Sequence, residues 1–176
     1  MTLSRRDLLI ASGSALVAIK CPVLASSRNE VLIAMRGTAR GERVWFDPLG
    51  VAVSPGTTLR FINLDPTNSH TVTAYHPQLF GRELRIPKSA APFDSGYLLP
   101  RGRFELTLVV PGVYDFYCLP HEAAAMVGRI VVGKPGDDGW DDTAIKAGGV
   151  TEKAEDILPS VRDILTEGRV NVRGQT

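Results

Sequence analysis

Cys118, His121 and Met126 spell Cys-x-x-His-x-x-x-x-Met, and His70 lies upstream. The set offers one thiolate, two imidazoles and one thioether. A trigonal His₂Cys arrangement with a weak, long axial Met is the ligand pattern of type 1, blue-copper electron-transfer centres. The soft thiolate binds copper tightly, and imidazole suits both of its oxidation states. The thioether is a weak fourth donor that favours Cu(I). A site acceptable to both states needs little rearrangement when an electron moves.

Each residue alone has a blander reading. A single Cys in a β-rich chain is usually a small core hydrophobe, and a single Met fills core gaps. His121 alone reads as a surface or hydrogen-bonded histidine. Together they carry more. Gly112-Val-Tyr-Asp-Phe-Tyr-Cys118 delivers the thiol from the end of a strand, and the His and Met follow on one short loop ending at Val127.

The elements that must hold these residues are strands. From Val31 to Gly133, short β-type runs alternate with Gly/Pro turns: 30–36, 43–46, 51–53, 58–64, 70–75, 103–108, 112–118 and 127–133. In 70–75, His70, Val72 and Ala74 share one face, and Thr71, Thr73 and Tyr75 the other. In 112–118, Tyr114, Phe116 and Cys118 share a face, so the core face ends at the thiol. About eight short strands with regular turns predict an all-β, Greek-key β-sandwich. Asp65-Pro66-Thr67-Asn68 reads as a turn. Residues 76–101 form a long connection of the functional or packed kind. After Gly133 the composition shifts, and the acidic stretch 136–142 reads as flexible. Residues 151–168 read as a C-terminal helical tail with Thr151 as N-cap, Pro159 starting or kinking a helix, and an apolar stripe of Ile157, Val161, Ile164 and Leu165. This tail either packs on the sandwich or binds a partner.

The N-terminus carries an address. Ser4-Arg5-Arg6-Asp7-Leu8-Leu9 looks like a twin-arginine export signal. The apolar run Leu8–Ile19 is too short for a bilayer span, which needs about 20 residues. Val23-Leu24-Ala25 suits a cleavage site, so cutting is expected after Ala25 and the product is expected in the periplasm. An ordinary secretory signal or an uncleaved anchor are the alternatives. The domains expected are a signal peptide, 1–25, a copper domain, 26–134, and a flexible segment with helical tail, 135–176. Cleavage removes Arg5, Arg6, Lys20 and Asp7 from a chain of net charge +1, leaving about −1. That balance gives no basic surface for nucleic acid. Cys21 leaves too, so Cys118 is alone and no intramolecular disulfide forms. A lone Cys in an oxidising compartment is a liability unless buried or ligated.

At the Cys118–Met126 loop the sequence resembles the cupredoxins, the small blue-copper proteins, with the spacing of plastocyanin and pseudoazurin rather than azurin. Gly112-x-Tyr-x-Phe-x-Cys118 and the Asn63…His70 segment match as well. The resemblance covers about residues 30–133. It implies one copper ion held by His70, Cys118, His121 and Met126, and a shuttle of single electrons. There are departures. Thr71 stands where Asn is common after the upstream His, and Leu119 where Ser or Thr is common after the Cys. The side-chain hydrogen bond that usually joins those loops is therefore expected to be missing. The 76–101 insertion fits no assignable subfamily.

A soluble, monomeric periplasmic carrier meeting a donor and an acceptor transiently is the first functional reading. Leu119, Pro120 and Ala123–Ala125 either form a flat apolar docking patch around His121 or simply pack the loop tightly. A copper delivery or storage protein is the second reading, and few Met residues argue against it. A copper subunit of a larger redox complex is the third. An autonomous copper enzyme needs further histidine clusters. The chain has 3 His, and His76, the remaining one, reads as surface or structural.

Overall fold

The computed structural model describes residues 30–172; the proposed signal and cleavage site lie outside the described residues. Nine strands follow in chain order: β1 (Glu30–Gly37), β2 (Val44–Asp47), β3 (Gly50–Val53), β4 (Thr57–Asn63), β5 (Thr73–Ala74), β6 (Arg103–Leu108), β7 (Gly112–Tyr117), β8 (Val127–Val132) and β9 (Arg169–Val170). A 3₁₀ helix covers Leu119–Ala124, and three short helices, α1 (Thr143–Lys146), α2 (Glu152–Ile157) and α3 (Val161–Glu167), lie near the C-terminus. One sheet has the order β2-β1-β4-β6, the other β5-β7-β8-β3-β9. Both are mixed, with parallel pairs β1–β4 and β3–β8. Among the described residues no helix is long and apolar enough to cross a membrane.

The eight expected strands are all present. The alternation in β4 and β6 places Leu59, Phe61, Phe104 and Leu106 between the sheets. Phe116 of β7 is wedged edge-on against Phe46 and Phe61, at centroid distances of 4.7 and 5.5 Å. Such pairs each add about 0.5–1.5 kcal/mol beyond area burial, and here they anchor the strand two residues before Cys118.

Three differences from the sequence reading matter. First, the strand expected over 70–75 shrinks to Thr73–Ala74. His70 instead exchanges both backbone hydrogen bonds with Leu98, and Ala74 and Val72 engage Phe93 and Ser95. The 76–101 connection thus folds back along this edge and covers it. Second, β7 and β8 are buried on both faces. On the outer face of β7, α1 packs against the strand, and Tyr117 joins Ala154 of α2 in a second small core with Tyr75, Val127 and Leu158. Third, the helical tail expected over 151–168 is present and breaks at Pro159, where a start or kink was expected, but the break takes Leu165 out of the expected apolar stripe. Leu158 precedes Pro159 and takes an extended ψ of 121°, as steric conflict with the proline ring requires. Thr151 caps α2 by accepting from Ala154 N, and Ser160 caps α3 by accepting from Asp163 N. The restart shifts the phase: Ile164 is fully buried, but Leu165 lies at the surface. The tail continues into β9 beside β3. A Cβ on Gly50 would meet Pro159 and Ile164 at 2.6–2.8 Å, so the absent side chain lets the tail seat on the sheet.

Buried charge fastens that tail. Asp115 of β7 is fully buried between Arg85 and Arg129, with N···O distances of 2.9 and 2.7 Å. Arg85 also donates to the carbonyls of Ala147 and Gly148, and Arg129 to that of Pro159.

Candidate metal centre

Three of the four expected donors meet at one end of the sandwich. His70 Nδ1 lies 3.2 Å from His121 Nδ1, Cys118 Sγ lies 3.5 Å from His70 Nδ1, and Cys118 Sγ lies 3.3 Å from His121 Nδ1. Atoms at these separations are each about 2 Å from a common centre, the reach of a metal–imidazole bond. The donor set therefore fits a metal ion by size as well as by chemistry. His70 and Cys118 are fully buried, and His121 is half-buried.

Each donor has its own support. Cys118 directly follows β7, and its N–H donates to the carbonyl of Met126. His121 sits in the 3₁₀ helix that follows, opened by Pro120 at one of its first positions. Ala125 takes a left-handed conformation, φ 61°, at its end, which turns the chain into β8. Met126 is fully buried in the main core, and its N–H donates to the carbonyl of His121. Its backbone is thus bonded to both loop donors. His76 lies apart: its Nδ1 accepts from Gln78 N at 3.2 Å and closes a local turn.

The expectation of a missing bond between the two ligand loops is corrected. The Thr71 hydroxyl accepts from Leu119 N at 2.8 Å and pairs with the Thr73 hydroxyl at 2.9 Å. Thr73 in turn donates to Asp94. The partner on the Leu119 side is a backbone amide, so the missing Ser or Thr there does not matter. The Thr71 amide also donates to Cys118 Sγ at 3.3 Å.

Two further residues were missed. Asp65, in what reads as a plain turn, accepts from His70 Nε2 at 3.0 Å. Glu122, next to His121, is buried and accepts from Tyr75 Oη at 3.0 Å and from Arg82. The signal for Asp65 was an Asx-turn residue in the segment leading to a ligand histidine. Glu122 had no local signal, because its partners come from the 76–101 connection and its approach.

The electrostatics suit metal ligation. Burial lowers the pKa of His70, against the opposing bond to Asp65, and burial also lowers that of His121. Both shifts favour the neutral imidazole, the form a ligand must take. Burial pushes the Cys118 thiol up to about 11, against hydrogen bonds from Thr71 and His121 that favour the thiolate. A buried thiol of that kind is no nucleophile, whereas a bound cation deprotonates it outright. Burial alone would raise the Asp65 carboxyl. Hydrogen bonds from Asn68, Thr67 and His70 outweigh it and hold it well below the carboxylate range.

A β-sandwich with two His and one Cys converging at its end is the architecture of a small copper protein. Residues 33–133 match the model of the copper binding proteins, plastocyanin/azurin family, and the chain belongs to that family. It is 28% identical over 152 residues to pseudoazurin of Methylorubrum extorquens, covering 85% of this chain and 93% of that protein. It is 32% identical to pseudoazurin of Paracoccus pantotrophus, covering 71% and 76%. The structure of pseudoazurin from Methylobacterium extorquens AM1 superposes with a TM-score of 0.54 at 26% identity, covering 72% of this chain and 91% of that one. The protein is a cupredoxin of the electron-transfer kind, and its cofactor is copper.

Proposed function

We propose that His70, Cys118 and His121 hold one copper ion with Met126 as a weak axial donor, and that the protein carries single electrons between transient redox partners in the periplasm. The observation that carries this reading is the convergence of Sγ and two Nδ1 atoms within 3.2–3.5 Å of one another. Bound copper supplies a one-electron Cu(I)/Cu(II) couple.

The chain's own residues do the rest. The fully buried His70 and Cys118 keep water from the inner side of the site. Thr71 holds the two ligand loops together and directs its amide at the sulfur. His121 reaches toward the surface beside the exposed Pro120, Ala123 and Ala124. Those small apolar groups leave a flat rim suited to the small interface of a short-lived redox contact. The protein acts as a monomer and as a carrier, without an enzymatic activity of its own. Residues 1–25 direct export by the twin-arginine route, 26–134 form the copper domain, and the C-terminal helices serve the sandwich by packing.

The test is copper titration of the purified mature chain followed by voltammetry. One equivalent of copper and a reversible one-electron couple are expected. Binding of several equivalents, or a bound copper that cannot be cycled, would favour storage or delivery instead.

A further inference from the structure

The Asp65 carboxylate has a built seat beside the site. It is fully buried. Oδ1 accepts from Thr67 N at 2.9 Å, Thr67 Oγ1 at 3.0 Å and Asn68 N at 3.1 Å. Oδ2 accepts from Asn68 Nδ2 at 2.9 Å and from His70 Nε2 at 3.0 Å. All five partners donate, which is the environment of an anion. The Asp65 N–H is fixed in turn by Asn63 Oδ1 and the carbonyl of Met35. A Cβ on Gly37 would fall 1.9 Å from Oδ2, so the end of β1 leaves room for this carboxylate and for nothing larger.

We propose that Asp65 is a positioning residue of the copper site: it holds His70 as the Nε2–H tautomer, with Nδ1 toward the metal, and its buried negative charge lowers the reduction potential. The inference rests on His70 being a copper ligand. A histidine ring has two nitrogens, and the bond made by one decides what the other presents. With Nε2–H given to Asp65, the Nδ1 lone pair is left facing Cys118 and His121. A carboxylate acceptor also makes the imidazole a stronger donor. A fixed anion in a low-dielectric interior favours the more highly charged Cu(II) over Cu(I). A turn-forming role alone would use Oδ1 and its backbone partners and leave the potential untouched.

The experiment compares the reduction potentials of wild type and Asp65→Asn, both copper-loaded. Asn keeps an acceptor for Nε2–H but removes the charge. The potential is expected to rise while the visible charge-transfer band persists. A tenfold selective weakening of Cu(II) binding corresponds to about 59 mV for one electron. Should Asp65→Asn fail to fold, Asn68→Ala takes its place. It removes a competing donor from Oδ2, strengthens the bond to His70, and is expected to lower the potential. A folded, loaded Asp65→Asn at the wild-type potential overturns the inference. So does an unchanged or raised potential in Asn68→Ala, or an Nδ1–H tautomer of His70 in nitrogen NMR of the metal-free wild type. If wild type itself forms no thiolate–copper band, the ligand assignment fails instead, and the two failures are told apart.

Discussion

The amide of Thr71 donates to the sulfur of Cys118 across 3.3 Å, and the Thr71 hydroxyl accepts from the next residue's amide, Leu119 N. One residue thus ties the loop that carries His70 to the loop that carries Cys118. Thr71→Val keeps the backbone bond to sulfur and deletes the hydroxyl, leaving the Leu119 amide without its partner. The expected cost is about 1–3 kcal/mol, the penalty for an unsatisfied polar group. Denaturant unfolding of the metal-free protein measures it. Stability equal to wild type would mean that water replaces the hydroxyl and that the bridge is dispensable.

Met126 sits at the end of the same loop, fully buried, with its backbone bonded to both His121 and Cys118. The proposed role, a weak axial donor, would tune the site without building it. Met126→Gln offers a harder oxygen and is predicted to lower the reduction potential; Met126→Leu removes the donor and is predicted to raise it. Redox titration of both variants is the check. If both bind copper at the wild-type potential, Met126 is core filler, while the three-ligand site stands.

Asp115 bridges two buried guanidiniums that also hold the carbonyls of Ala147, Gly148 and Pro159. Asp115→Ala would leave Arg85 and Arg129 buried and unpaired. Breaking such a cluster costs about 3–5 kcal/mol. The C-terminal segment should loosen with it, seen as faster amide exchange in α2 and α3. A loss under 1 kcal/mol with unchanged exchange would show that the tail is held by its apolar contacts alone.

The proposed export signal is the sequence Arg5-Arg6 with the cleavage site Val23-Leu24-Ala25. Mass spectrometry of the exported protein should find Ser26 first, and changing both arginines to Lys should block export. Normal export of that double variant would point to the general secretory route.

What was legible in the sequence was local. His70, Cys118 and His121, which the fold brings together, stood out because copper restricts ligand types and two of them share one loop with the proposed axial Met126. The strands stood out through alternation, as in Phe104, Leu106 and Leu108. What was not legible depends on distant partners. The edge at His70–Ala74 is completed by 93–98, so its strand character was overestimated. Arg85, Asp115 and Arg129 meet only in the fold. The Thr71–Leu119 bond was missed because a backbone donor has no sequence signature. Asp65 reads as a turn residue until the fold brings its second oxygen to His70.

The central claim is that Cys118 and two histidines hold copper in a trigonal site. The absorption spectrum of the oxidised, copper-loaded protein tests it most directly, with Cys118→Ser beside it. An intense visible thiolate-to-copper band is predicted in wild type and its loss in the variant, since oxygen cannot replace the soft thiolate. A colourless wild-type copper complex, or a band that survives Cys118→Ser, would contradict the account.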